Sequence, residues 1–307
     1  DNTGKQSADR INGRDFMKTK FTTIRTCVQI IYTIITNGYM YGYTHGTIYK
    51  GAWKYVCVPG LNCYSCPGAF ASCPLGALQA ALNQRGFTVP FAVLGMLFIF
   101  GSILGRFVCG WLCPFGLVQD LLYRIPFFYK RKQLPFHKGF RYLKYGVLVG
   151  LVFLGSAFLW GGYVKLPAFC KYLCPSGTLM GAIPLMATND ALRTQAGGLF
   201  FWKLGILILI ILASILIFRP FCQYLCPLGA IYGWFNRWSL VQIQWEQDAC
   251  TDCHACQKAC PVNLTPDKIS KSPECIRCGS CVQACPQQCL HFGKKKKERC
   301  MRRRNEV

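Results

Sequence analysis

Acidic residues are scarce: 12 Asp and Glu stand against 35 Lys and Arg in 307 residues. None of the acidic residues falls within the four long apolar stretches of the chain. Ion-coupling sites within a membrane need an ionisable side chain facing the interior, so a pump driven by this chain alone is not expected. Arg25, Arg106, Lys144 and Lys203 lie toward the ends of those stretches, where snorkelling accounts for them. Histidine is limited to His45, His137, His254 and His291, all outside the stretches, which leaves a membrane haem without an axial ligand. Gly105 and Gly110 flank Arg106 without a dinucleotide fingerprint or a preceding strand, so no NAD or flavin site is expected. No nucleophile triad is evident. A cleavable signal peptide is also missing, because the first apolar stretch is too long and lacks a small-residue cleavage site; it reads as an uncleaved anchor.

Hydrophobic residues make up 52% of the chain, charged residues only 15%, and yet the net charge is +23. High hydrophobicity and high charge coexist only if they are segregated along the sequence, and here they are. The apolar stretches cover residues 21–41, 89–108, 142–160 and 199–218. Each is near the ~20 residues that cross a bilayer core. The N-terminal tail, the loop after the second stretch and the tail after the fourth carry 25 Lys and Arg, against 6 in the other two loops. The positive-inside rule therefore places both termini in the cytoplasm. The run Lys294–Lys297, Arg299 and Arg302–Arg304 then lies near anionic headgroups or an acidic partner. Nucleic acid, the usual rival for such a run, is not expected as a partner, since a tethered tail already has lipid beside it. Trp53, Trp111, Trp160, Trp234 and Trp238 read as interface anchors, with a quinone site as the alternative.

Cysteine is abundant, with 21 residues. Cys250-x2-Cys253-x2-Cys256-x3-Cys260-Pro is followed by Cys275-x2-Cys278-x2-Cys281-x3-Cys285-Pro. Each is the C-x2-C-x2-C-x3-C-P run of bacterial ferredoxins, whose fourth Cys ligates the other cluster. The expected ligand sets are Cys250, Cys253, Cys256 and Cys285 for one [4Fe–4S] cluster, and Cys275, Cys278, Cys281 and Cys260 for the second. Zinc sites use different spacing, and disulfide geometry is too specific for thiols this dense.

A second pattern follows the apolar stretches. Cys109-x3-Cys113-Pro-Phe-Gly116, Cys170-x3-Cys174-Pro-Ser-Gly177 and Cys222-x3-Cys226-Pro-Leu-Gly229 are complete copies; Cys73-Pro-Leu-Gly76, after Cys57, Cys63 and Cys66, is a variant. Pro after the second Cys favours the first position of a new helix. That puts the Cys at an N-cap, where the helix dipole and free N–H groups favour a thiolate or an anionic cluster. Topology sorts these cysteines into two sets. Cys109, Cys113, Cys222 and Cys226 face the cytoplasm and match the ligand count of one cubane. On the opposite face Cys66, Cys73, Cys170 and Cys174 form the favoured set for another, with Cys63 nearly as suitable. Disulfides are the rival on that side. Cys27, Cys289 and Cys300 fit no set.

These residues resemble the NapH-type membrane ferredoxins, which are quinol dehydrogenase subunits, and the C-terminal half of NosR-type proteins. The resemblance runs from about residue 22 to 292. The third motif at Cys170 and the segment from Asn62 to Gly76 lie outside the plain NapH pattern, and a simple quinol dehydrogenase does not need them.

The expected fold is an all-α membrane domain of four transmembrane helices (21–240) and a small α+β 2[4Fe–4S] ferredoxin-like domain (241–293). Basic tails at 1–20 and 294–307 flank them. The expected function is a transmembrane electron-transfer subunit in a prokaryotic cytoplasmic membrane. It would carry two clusters in the ferredoxin domain, one at the inner face and one at the outer. Clusters on opposite faces would stand roughly 20–30 Å apart unless they dip into the membrane or a further carrier fills the gap. Expected partners are other subunits of a membrane redox complex, a cytoplasmic electron carrier or dehydrogenase, and an extracytoplasmic redox protein or quinone. The alternatives are a quinol/quinone oxidoreductase subunit and a redox-sensing or metal-handling membrane ferredoxin.

Overall fold

The computed structural model describes residues 20–83, 90–127, 130–134, 136–157, 167–269 and 271–294. The basic tails, Cys300, Trp160 and the end of the third apolar stretch lie outside them.

Long apolar helices alternate with short helices that begin at a Cys-Pro step. The apolar helices are α1 (Lys20–Asn37), α3 (Phe91–Leu104), α5 and α7 (Gly198–Leu216). Helix α5 opens at Leu143–Val147 and runs through wide π turns at Leu148–Leu154 into Gly155–Ala157. The Cys-Pro helices are α2 (Pro74–Leu82), α4 (Pro114–Arg124), α6 and α8 (Pro227–Phe235). Helix α6 starts at Pro175–Gly177 and continues through Thr178–Ala182 to Ile183–Thr188.

Among the described residues, α7 is the one helix long and apolar enough to cross a membrane; α3 and α5 are apolar but shorter. Helix α3 stops where Gly105 takes φ +52°, against the side chains of Asn236, Ser239 and Arg277. All four apolar helices nevertheless turn large side chains outward, including Ile34 and Ile35, Phe91 and Phe98, Val149 and Leu154, and Phe201 and Leu209.

The inner sides of α3, α5 and α7 and of the Cys-Pro helices share one core that contains Leu78, Leu97, Val108, Phe115, Phe169, Ile210, Phe221 and Tyr232. The loop between α1 and α2 dips into it. Tyr232 donates a hydrogen bond to the Pro59 carbonyl (3.0 Å), and a Cβ on Gly60 would stand 2.8 Å from the Leu112 carbonyl.

Three of the four cations at the helix ends do not snorkel. Arg25, Arg106 and Lys144 are all buried, at 2% exposure or less. Arg25 pairs with Asp120 of α4 at 2.9 Å, and Arg219 grips the same carboxylate, with Nε 2.6 Å from Oδ1. Glu274 takes Arg106 at 2.8 Å and Lys144 at 2.5 Å. Lone buried charges cost far too much to survive, so each carboxylate stands between two cations. The guanidiniums beside Asp120 and Glu274 hold both carboxyls below their ordinary range.

Glu274 belongs to the C-terminal module. There β1 (Val241–Trp245) pairs antiparallel with β2 (Leu290–Lys294), Val241 opposite Lys294 and Trp245 opposite Leu290. Two short helices, α9 (Ala255–Ala259) and α10 (Ser280–Ala284), pack together beside the sheet. This α+β module is fastened to the helical part. Asn236 donates to the Ser272 and Cys275 carbonyls at 2.7 and 2.9 Å. Arg277 reaches back to the Leu104 and Asn236 carbonyls at 2.7 and 2.9 Å. Trp111, expected as an interface anchor, is instead buried and donates to the Arg277 carbonyl at 3.0 Å, whereas Trp53, Trp234 and Trp238 are exposed. A Cβ on Gly110 would sit 2.3 Å from the Ile276 carbonyl, so this position admits only glycine without backbone movement.

Replacing Glu274 with Gln leaves Arg106 and Lys144 without a counter-charge, and breaking a buried pair costs roughly 3–5 kcal/mol. Thermal unfolding should show that loss for Glu274→Gln, while Asp190→Asn, which removes the exposed pair with Arg193, leaves the midpoint unchanged. Because both buried carboxyls are depressed in the fold, their contribution is complete above the unfolded values near pH 4 and is lost as pH falls through the folded ones. Stability measured against pH should therefore be flat near neutrality and drop only on the acid side, and Glu274→Gln should flatten that drop. Gly110→Ala should loosen the module from the helices, read as faster proteolysis between residues 236 and 250.

Candidate metal centres

Within the C-terminal module, the eight motif cysteines fall into two groups. Cys250, Cys253, Cys256 and Cys285 line one small cavity, and Cys260, Cys275, Cys278 and Cys281 line the other. Each group thus takes three thiols from one run and the fourth from the other. The crossover follows from α9 and α10 lying side by side, so that Cys260 and Cys285, just past their ends, each reach the neighbouring loop. Left-handed backbone at Asp252, His254 and Arg277 curls the loops around the thiols. The second cavity is walled by Ile243, Val262, Leu264 and Ile269, whereas Cys253 at the first is exposed. Cys289, which fits no set by sequence, also lines the first cavity, its sulfur 3.2 Å from that of Cys285.

Cys109, Cys113, Cys222 and Cys226 are brought together in the core, all buried. Cys113 and Cys226 are N-caps in extended conformation, each followed by Pro at the first helical position. The Gly229 N–H points at the Cys226 sulfur at 3.4 Å, whereas Cys113 makes no side-chain cap hydrogen bond. The two motifs are cross-braced. Arg106, three residues before Cys109, donates to the Cys222 carbonyl at 2.8 Å. Arg219, three residues before Cys222, donates to the Cys109 carbonyl at 2.6 Å.

A fourth group repeats this plan. Cys73 and Cys174 are the N-caps of α2 and α6, with the Gly177 N–H 3.4 Å from the Cys174 sulfur. Cys63, Cys73, Cys170 and Cys174 line a cavity of about 810 Å³ together with Lys54, Asn62 and Lys203. A Cβ on Gly177 would stand 3.7 Å from the Cys63 sulfur and 3.8 Å from that of Cys174. Cys66 does not line this cavity; it is buried against the Tyr43 hydroxyl at 3.4 Å. Cys57 lies against Ser72, and Cys27 is exposed. The two groups in the helical part are close. The Leu61 backbone lies beside the Cys113 thiol, and the two residues from Leu61 to Cys63 span at most about 7 Å. The separation of 20–30 Å between faces is therefore not what the fold builds, because Cys73 and Cys174 share one core with Cys109, Cys113, Cys222 and Cys226.

The donor sets suit iron–sulfur clusters. They consist of soft thiols, four to a group, and none of the described cysteines is disulfide-bonded. Among the described residues no group of His, Cys, Asp or Glu is arranged to hold a single metal ion. Burial, then the neighbouring thiols, push Cys222 up to about 11 and Cys260 to about 12. Burial likewise takes Cys63 to about 12. Such thiols keep their protons unless a cationic metal core takes their place.

Comparison with known proteins agrees with this chemistry. The 4Fe-4S binding domain family matches residues 86–135, 146–184 and 199–244, and the 4Fe-4S dicluster domain family matches 242–286. An uncharacterised protein of Methanocaldococcus jannaschii is 29% identical over 73% of this chain and 87% of its own length. The methylamine utilization ferredoxin-type protein MauN of Methylorubrum extorquens is 30% identical, over 63% of this chain and 62% of its own. The ferredoxin-type protein NapH of Haemophilus influenzae is 30% identical, over 54% and 51%. The chain thus spans less than two thirds of these two named relatives. No solved structure matches. The paired C-x3-C-P motifs, the dicluster module and these relatives make the chain a ferredoxin-type electron-transfer protein of the NapH/NosR-type 4Fe–4S family.

Proposed function

We propose that this chain is a membrane-embedded electron-transfer subunit with four [4Fe–4S] sites. Cys250, Cys253, Cys256 and Cys285 would hold the first, and Cys260, Cys275, Cys278 and Cys281 the second. Cys109, Cys113, Cys222 and Cys226 would hold the third, and Cys63, Cys73, Cys170 and Cys174 the fourth. When bound, the clusters supply one-electron transfer. The observation that carries the reading is the succession of four separate thiol quartets, each adjoining the next. Cys260 and Cys281 join the two sites of the module through α9 and α10. Glu274 and Ile276, flanking Cys275, touch Arg106 and Gly110 beside Cys109. Leu61 and Tyr232 stand between the third quartet and the fourth.

The protein's own residues do three things for such a relay. The apolar walls exclude water from the third site, the buried ion pairs fix the spacing, and the N-capping geometry aims N–H groups at the sulfurs of Cys226 and Cys174. The outward apolar faces of α1, α3, α5 and α7 support a four-span membrane domain, and loop charge favours both termini in the cytoplasm. Exposed Cys253 marks the edge where a cytoplasmic electron carrier or dehydrogenase would approach. The open cavity at the fourth site would face an extracytoplasmic redox protein.

A second reading, quinol or quinone oxidation–reduction, is favoured by that same cavity. Its size falls in the range of small-molecule sites, and its lining mixes Ala77, Ala80, Phe169 and Leu185 with Asn62 and Lys203. Quinol-dependent reduction of the purified protein's clusters would support it, and an unchanged spectrum would exclude it.

Mössbauer spectra with iron and sulfide analysis should give four cubanes per chain; only two would sink the relay. Cys63→Ser should remove the fourth cluster, whereas Cys66→Ser should leave all four.

A further inference from the structure

We propose that Gln79 and Gln119 set the reduction potentials of the fourth and third clusters by donating an N–H···S hydrogen bond to one ligand sulfur of each. The inference rests on the cluster sites proposed above. The two glutamines occupy one place in the repeat, six residues after Cys73 and Cys113 on α2 and α4. Both are wholly buried. Gln119 Nε2 lies 3.1 Å from the Cys222 sulfur, and Gln79 Nε2 lies 3.5 Å from the Cys170 sulfur. A helix that begins at one thiol of a quartet therefore carries an amide to a thiol contributed by the other half of that site.

Equivalent positions on α6 and α8 hold Met180 and Tyr232, and the Tyr232 hydroxyl turns away to Pro59. Carboxamides are thus found only on the two helices whose side chains meet an opposing thiol. Packing alone does not call for glutamine here, since burying an amide costs free energy that Leu or Met would avoid. Gln119 has little else to bond: its Nε2 makes one long contact to Phe115 O at 3.5 Å, and its Oε1 has no partner among the described residues. Gln79 is held in orientation, its Oε1 accepting from the Phe169 N–H at 3.2 Å and the Ser156 hydroxyl at 3.4 Å. A metal-bound thiolate accepts but does not donate, so the amide must present its N–H to the sulfur.

Reduction adds one negative charge, shared with the ligand sulfurs. A donor aimed at a sulfur stabilises the reduced state more than the oxidised one, most strongly where water is excluded. Removing the donor should lower the potential. The shorter contact of Gln119 predicts the larger change.

The test is an EPR-monitored redox titration of the full chain in lipid nanodiscs, comparing Gln119→Leu and Gln79→Leu with the parent. In Gln119→Leu, with iron content retained, the reduction equilibrium of the third cluster should fall about tenfold, 59 mV for one electron. The other clusters should not move. Gln79→Leu should lower the fourth cluster by less and leave the third unchanged. Full cluster content with unshifted potentials would overturn the proposal. So would loss of the third cluster in both Gln119→Leu and the volume-conserving Gln119→Met, which would assign the amide to assembly. A parent protein showing only the two module clusters would instead remove the sites themselves.

Discussion

Two buried carboxylates carry the architecture. Asp120 and Glu274 are the acidic residues buried among the described part of the chain, and between them they neutralise Arg25, Arg219, Arg106 and Lys144. Asp120 ties α1 and the segment after α7 to α4. Glu274 ties the start of α5 and the end of α3 to the C-terminal module. With so few acids available, each must serve two cations, and every such pairing fastens one structural unit to another. The scarcity of Asp and Glu is therefore a constraint on assembly as well as on ion coupling.

These pairings also shape the thiol sites. Arg106 and Arg219 each also donate to a cysteine carbonyl, of Cys222 and Cys109 respectively, so each of these two C-x3-C-P motifs is held by the arginine that precedes the other. The carboxylates thus fix the arginines, and the arginines fix the cysteine backbone. The fourth group follows the same N-cap plan without an arginine brace, since Pro167 stands where Arg106 and Arg219 stand in the inner copies. In its place Cys63 enters from the α1–α2 loop, which is anchored in the core by Pro59 and Leu61. That loop makes the two groups in the helical part neighbours with shared walls.

Local features of this arrangement were legible in the sequence, and distant ones were not. The dicluster runs declare themselves because most ligands of a site lie within a few residues. The Cys-Pro steps predict N-caps, and the caps at Cys73, Cys113, Cys174 and Cys226 have that form. All four apolar stretches form helices, though α3 ends early because Gly105 turns the chain toward Arg277. Buried ion pairs escape such reading: Arg25 and Asp120 are 95 residues apart, and Lys144 and Glu274 are 130 apart. A lone cation near the end of an apolar stretch looks the same whether it snorkels or pairs. Choosing between Cys63 and Cys66 likewise depends on how the loop folds, with Lys54 holding the Ala69 carbonyl and Tyr43 meeting Cys66. Gln79 and Gln119 give a faint signal, the same residue at the same offset from two Cys-Pro steps. Its meaning needs the sulfur opposite.

On this reading, thiols gathered from distant segments inside the helical part would hold iron, as would those of the module. Iron anomalous-difference density from crystals of the anaerobically purified protein addresses it directly. Four peaks are predicted, two in the module, one enclosed by Cys109, Cys113, Cys222 and Cys226, and one enclosed by Cys63, Cys73, Cys170 and Cys174. Peaks confined to the module, with the remaining cysteines bare or disulfide-bonded, would contradict it.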